Sequence, residues 1–177
     1  MDVSMMKAIT YSEFGVSTDV LKVKELPIPK VGKDEVLVAL KFSGSNPSDA
    51  KSRAGNRPGI TKPQFEHIVP NSDGSGIITA VGEDVDKIRI GQRVWIWNGQ
   101  WQRPNGTAAE YISVPSAQAV EMPDDMSFET GACLGIPGLT ASYCTLGDGA
   151  LGGKTVFVSG GAGAVGHTCI QLAKWSG

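Results

Sequence analysis

The feature that most limits the fold lies late in the chain, where an apolar run meets a cluster of glycines. The segment Thr155-Val-Phe-Val-Ser-Gly-Gly-Ala-Gly-Ala-Val-Gly166 predicts a short strand over Thr155–Val158, a glycine turn, and a helix from Val165 to about Trp175. It contains Gly161-x-Gly163-x-x-Gly166 and equally Gly160-x-x-Gly163-x-x-Gly166. A strand with apolar residues on both faces belongs inside a parallel sheet. Glycine serves three ends in the turn that follows: a sharp exit from the strand, close approach of backbone to a ligand, and tight packing of helix on strand. The N–H groups at the helix start, with the helix dipole behind them, favour phosphate oxygens. The spacing alone also fits an ordinary glycine-rich turn. The strand before it and the helix after it favour a dinucleotide pyrophosphate loop. The residue that separates NADH from NADPH sits about 20 positions beyond such a loop. The sequence ends at Gly177, so both cofactors remain open.

Upstream, the pattern is different. Strands are predicted at Met6–Tyr11, Val20–Leu26, Glu35–Phe42, Ser75–Val81, Arg93–Trp97, Ala108–Val114 and Gln118–Met122. In Glu35–Phe42 the period of two places Val36, Val38, Leu40 and Phe42 on one face. Short strands at this spacing read as a partly open, all-β barrel. A helix over Ser48–Ala54 interrupts the long connection after Ser43. Past Pro123 the texture turns helical. Ser127 caps a helix over Phe128–Leu134 with Glu129 in its first turn, and Pro137 opens another over Gly138–Leu146. The chain therefore divides into a mainly β unit, residues 1–125, and the beginning of an α/β unit, residues 126–177.

Composition excludes several classes. A formal net charge of −2 gives no field for nucleic acid or anionic lipid. No apolar run reaches the roughly 20 residues a membrane helix needs, and Met1–Lys7 lacks the order of a secretory signal. A cytoplasmic location is expected. Cys133, Cys144 and Cys169 are too scattered for a disulfide framework, and they read as small buried apolar residues. His67 and His167 are isolated and expected to hydrogen-bond locally. Zinc needs about four clustered ligands, and none is apparent.

Six stretches stand in an order that carries a resemblance: Asn46-Pro-Ser-Asp49, Asp73-Gly-Ser-Gly76 with Val81-Gly82, Gly91-Gln-Arg-Val94, Gly106-Thr-Ala-Ala-Glu-Tyr111, Gly135-Ile-Pro-Gly-Leu-Thr140, and Gly160–Gly166. From near Met6 to its end, the chain resembles the medium-chain dehydrogenase/reductase superfamily, and within it the zinc-free, zeta-crystallin-like quinone oxidoreductases. The resemblance implies a GroES-like catalytic domain followed by a Rossmann domain, with hydride passing from a nicotinamide in the cleft between them. It implies NADPH, with NADH also possible, and no zinc. The alcohol dehydrogenase branch holds catalytic zinc at positions that here read Asn46, Ser72, Asp73 and Ile136, none of which offers the thiolate or imidazole that zinc prefers.

The resemblance also assigns residues. Asn46 matches the asparagine beside the nicotinamide and substrate, where a carboxamide can donate to a carbonyl oxygen as negative charge develops. Its competing reading is a turn residue before Pro47. Thr140 matches a threonine at the nicotinamide, and its competing reading is a helix hydroxyl bonded back to its own turn. Gly160, Ala162, Gly163, Ala164, Val165 and Gly166 match the pyrophosphate loop. Lys51 and Arg57 stand where relatives often carry tyrosines, and Asn71 replaces a common glycine. Trp95, Trp97 and Trp101 either line a substrate mouth or cover barrel surface.

The implied partner is a small-molecule quinone or enone, in a protein that is a homodimer at full length. Reduction of an activated carbon–carbon double bond is the alternative reaction. A non-catalytic GroES-like binding or structural module is the alternative class. Thr155–Val158 has no later strand to pair with, so its apolar side chains are expected to be exposed, and residues 1–177 alone to be nearly inactive.

Overall fold

The computed structural model describes residues 4–177. Met1–Val3, part of the segment read for a secretory signal, lie outside them. Strands β1 (Met5–Thr10) and β2 (Lys22–Pro27) form an antiparallel pair. Strands β3 (Glu35–Gly44), β4 (Asp73–Val81), β5 (Arg93–Ile96), β6 (Tyr111–Pro115) and β7 (Ala119–Glu121) form a second sheet, ordered β6-β3-β4-β5-β7 and antiparallel throughout. Single bridges at Ala8–Ala109, Tyr11–Ile68 and Val69–Asn105 join the remaining edges. The result is the expected partly open β unit, built as two sheets. Helices α1 (Ser17–Val20) and α2 (Pro47–Arg53) lie within its connections.

Alternation accounts for the core. Val36, Val38, Ile78, Val94, Ile96, Ile112, Val114 and Ala119 form one buried cluster. Each buried Val or Ile contributes roughly 1.5–3 kcal/mol relative to exposure. The expected face of β3 does not run to its end. Phe42 is 42 % exposed. The register shifts between Leu40 and Phe42, so Lys41 is the extra residue of a bulge, and a bulge reverses which side chains point inward.

Past β7 the chain turns helical: α3 (Phe128–Gly131), α4 (Gly135–Leu146) and α5 (Ala164–Trp175). Ser127 caps α3 by accepting from Thr130 N–H at 3.2 Å. Arg93 ties the sheet to this region, donating to the carbonyls of Pro123, Asp124 and Met126 while its guanidinium sits 4.7 Å from the Phe128 ring centroid. A Cβ on Gly44 would fall 2.0 Å from the Ala132 carbonyl oxygen, so bare backbone is what lets the sheet meet α3.

Thr155–Val158 departs from expectation. It is irregular and belongs to no sheet, because a strand is a pairing state and no described strand lies beside it. Its side chains are left outside as foreseen: Phe157 is 92 % exposed and Val156 is also exposed. The cysteine reading also needs correction. Cys169 is buried between α4 and α5, its thiol directed at the Ala141 carbonyl, but Cys133 and Cys144 are exposed. Neither side chain is turned into the packed interior. No helix among the described residues is long and apolar enough to cross a membrane.

Candidate functional site

Three positions far apart in sequence converge on one carboxylate. Asp73 opens β4 and is 1 % exposed. Its Oδ2 accepts from Asn46 Nδ2 at 2.8 Å and from the Ile136 N–H at 2.8 Å. Asn46 precedes α2, where Pro47 at the first helical position fixes the turn. Ile136 lies in the first turn of α4, whose cap residue Leu134 has no side-chain bond. Asp73 therefore supplies from the sheet an acceptor that α4 lacks locally, on the side where the helix dipole favours negative charge. Its other oxygen, Oδ1, is buried with no hydrogen-bond partner among the described residues. A Cβ on Gly135 would fall 2.2 Å from that oxygen.

The electrostatics follow from burial. Desolvation pushes the Asp73 carboxyl from 3.8 up to about 6, against the bonds from Ile136 and Asn46 that pull it down, and nearby Asp49 pushes it further up. Asp49 is itself raised by burial, while the Asn46 bonds and the Arg57 cation lower it. Its Oδ2 accepts from the Asn46 N–H at 2.7 Å. Asn46 thus stands between the buried Asp73 and the half-buried Asp49, and donates from its side chain to the first and from its backbone to the second.

Beside this cluster is a cavity of about 500 Å³, with Ser48, Asp49, Ser72 and Ile136 in its wall. Tyr11, Phe14, Phe65, Ile68 and Trp101 add an apolar side, and Arg57 a cation. Arg57 donates from Nε to Ser52 Oγ at 3.1 Å and from Nη2 to the Ser48 carbonyl at 3.3 Å. Of the three tryptophans considered as a substrate mouth, Trp101 lines this cavity. Trp97 instead donates from its ring to the Ala117 carbonyl at 3.1 Å, and Trp95 pairs with Val120 in the sheet.

The glycine loop forms as a turn leading directly into α5. Gly160 has φ +69°, a backbone that side-chain-bearing residues rarely adopt. A Cβ on Gly166 would fall 2.3 Å from the Gly160 carbonyl oxygen. The helix can therefore pack onto the loop only without that atom. Gly163 caps α5 without a side-chain bond, and the first helical bond runs from His167 N–H to the Gly163 carbonyl at 2.8 Å. The N–H groups of Ala164, Val165 and Gly166 precede that bond and have no backbone acceptor among the described residues. Gly160, Ala162, Gly163 and Ala164 are exposed. The loop is open to solvent at these residues.

Not every sequence-based expectation is met in the form given. Thr140 is exposed, and its hydroxyl donates to the Ile136 carbonyl at 2.7 Å, the back-bonded arrangement named as its competing reading. His167 is exposed and His67 half-buried. Neither ring makes the local hydrogen bond expected of it with the described residues. Asn71, which replaces a common glycine, adopts φ +74°. Asparagine is among the residues that tolerate that conformation best, and its Nδ2 donates to Ser43 Oγ at 3.0 Å. The sequence marks Asp73 only as the head of the Asp73-Gly-Ser-Gly76 stretch and as a position unable to bind zinc. A lone carboxylate at the head of a run of small residues and an apolar strand was the available sign of a buried charge.

The alcohol dehydrogenase GroES-like domain matches residues 32–124. A quinone oxidoreductase of Lama guanicoe is 33 % identical over 96 % of this chain and 50 % of its own length. An NADPH-dependent alkenal/one oxidoreductase, chloroplastic, of Arabidopsis thaliana is 32 % identical over 96 % of this chain and 44 % of its own. The solved structure of the quinone oxidoreductase from Coxiella burnetii superposes with TM-score 0.82 at 30 % identity, covering 98 % of this chain and 55 % of that one. The chain spans about half the length of the curated relatives it matches.

Proposed function

Because the chain belongs to the family of the alcohol dehydrogenase GroES-like domain, we propose that it carries the acceptor site and the pyrophosphate loop of an NADPH-dependent quinone reductase. The observation that carries this reading is the loop. Gly160 turns with positive φ, Gly166 admits the helix against the loop, and three N–H groups at the start of α5 stand without backbone acceptors. That arrangement fits a diphosphate, which needs several convergent N–H donors and no intervening Cβ. Gly160, Ala162, Gly163, Ala164, Val165 and Gly166 would hold it, and residues 126–177 would begin the nucleotide-binding domain.

The reduced nicotinamide supplies a hydride when bound. The protein's task is then to place the acceptor carbonyl and to stabilise the negative charge that grows on its oxygen. Asn46 is assigned that task, through its carboxamide. Thr140 is assigned to the nicotinamide side, where its hydroxyl oxygen remains able to accept. No metal is assigned. Of the positions that hold zinc in the alcohol dehydrogenase branch, three are here bonded to one another, the Asn46 side chain to Asp73 and the Ile136 N–H to Asp73.

A second reading is reduction of an enone double bond. It is favoured by the relative of that activity in Arabidopsis thaliana and would use the same cleft and loop. The test is quenching of intrinsic tryptophan fluorescence by NADPH in the wild type and in Gly163→Asp. Saturable quenching that the added carboxylate abolishes supports the redox reading. Equal behaviour of the two proteins contradicts it and favours a non-catalytic module.

A further inference from the structure

The cavity beside α2 holds a cation with no counter-ion of its own. Arg57 follows the turn that ends α2, where Gly55 adopts φ +74° and a Cβ on it would fall 2.6 Å from Phe14 Cδ2. The turn therefore seats on the Phe14 ring, and the Arg57 side chain folds back along α2. Its Nε donates to Ser52 Oγ at 3.1 Å and its Nη2 to the Ser48 carbonyl at 3.3 Å. Ser52 Oγ itself donates to that carbonyl at 2.9 Å. Both anchors are neutral. They use two of the five guanidinium N–H groups, and Nη1 has no partner among the described residues. Arg57 is itself exposed, so a ligand reaches it. Asp49 is the other charged residue in the cavity wall. Its Oδ2 takes the Asn46 N–H at 2.7 Å, and among the described residues it forms no ion pair with Arg57. Much of the remaining wall is aromatic. Phe14 and Phe65 pack on the buried Tyr11, Val20 and Ile68, and Trp101, which lines the same cavity, is 63 % exposed.

We propose that this cavity binds a flat aromatic ring bearing a carboxylate, the ring on the Trp101 and Phe65 side and the carboxylate on Arg57 Nη1 and Nη2. An arginine fixed on two anchors presents its remaining N–H groups as the fork that a carboxylate accepts bidentately. Little freedom is lost on binding, which favours the contact. A neutral ring would use the same aromatic surface and leave the guanidinium unmatched. For the reductase reading this means an acceptor with an acidic substituent, a consequence that rests on that reading. The binding itself requires neither NADPH nor turnover.

The test is binding of 2-naphthoate and of its uncharged analogue 2-naphthamide, followed by nitrogen-15 NMR of the Trp101 indole N–H, assigned by its loss in Trp101→Phe. In the wild type, 2-naphthoate should bind roughly tenfold more tightly than 2-naphthamide, the scale of one charge-assisted hydrogen bond. Arg57→Gln should remove this preference by weakening the naphthoate alone, and retained naphthamide binding shows that the variant is folded. Lys51→Gln removes an exposed cation of α2 that does not line the cavity, and it should keep the preference. Equal affinities in the wild type, or no shift of the Trp101 signal with either compound, overturn the proposal even if Arg57→Gln does not fold. So does a preference that survives Arg57→Gln or vanishes in Lys51→Gln. A naphthoate preference in a protein whose fluorescence ignores NADPH counts against the redox reading alone. Quenching by NADPH without that preference counts against this proposal alone.

Discussion

Asn46 donates from Nδ2 to Asp73 Oδ2 at 2.8 Å, a bond that ties the start of α2 to the start of β4. Two changes at Asn46 separate its parts. Asn46→Ala removes the donor. In a polypeptide joining residues 1–177 to the nucleotide-binding half of a quinone oxidoreductase, it should lower kcat for quinone roughly 10²-fold, the scale of losing one oxyanion donor. Asn46→Asp sets a carboxyl against a carboxyl. It should lower stability more at pH 8 than at pH 5, because two like charges cannot share that space ionised. Steady-state kinetics and urea titrations at both pH values read these outcomes.

Asp73 also predicts how stability varies with pH. Its carboxyl is raised from 3.8 to about 6 by burial, so the folded state holds the proton more tightly than the unfolded state does. The stabilisation from that proton is complete below about pH 4 and is lost as pH rises through 6. A shift of this size corresponds to about 3 kcal/mol. Asp73→Asn cannot titrate. The stability difference, variant minus wild type, should therefore increase between pH 4 and 7, read from urea unfolding at each pH. A difference constant across that range would show that burial does not raise this carboxyl.

The loop predicts two glycine effects of different origin. Gly166→Ala places a Cβ 2.3 Å from the Gly160 carbonyl oxygen, so the start of α5 must move, at about 1–3 kcal/mol. Gly160→Ala meets nothing within 4 Å but forces φ +69° on alanine, at about 1–2 kcal/mol. Thermal unfolding should show both losses. NADPH affinity should fall more in Gly166→Ala, where the N–H groups themselves are displaced.

Phe157 is 92 % exposed, and Tyr143, Trp175 and Ile170 on α4 and α5 are exposed as well. Apolar surface of this kind promotes association. Phe157→Ser should lower the apparent mass of residues 1–177 at high concentration in sedimentation, with no loss of thermal stability because the ring packs on little.

Much of the β unit was legible because its strands obey a local rule. Val36, Val38, Val94 and Ile96 alternate with polar or half-buried residues, and alternation is written in the sequence. What failed depended on partners elsewhere in the chain. Phe42 points outward because β4 pairs around Lys41 with a bulge, which β3 alone does not reveal. Thr155–Val158 has strand composition but no neighbour to make it a strand. Val20 ends α1 rather than opening β2. The site divides the same way. The loop glycines were readable from spacing and context, and Asn46 from the resemblance. The role of Asp73 was not, since it depends on Ile136, 63 residues away, arriving at the same oxygen.

Binding of a diphosphate at the start of α5 is read by phosphorus-31 NMR of NADPH. With the wild-type protein, the diphosphate resonances should broaden and shift more than the 2′-phosphate resonance, and Gly163→Asp should abolish the effect. Diphosphate signals that stay sharp with the wild type, or that respond equally in Gly163→Asp, would show that the start of α5 does not hold a diphosphate.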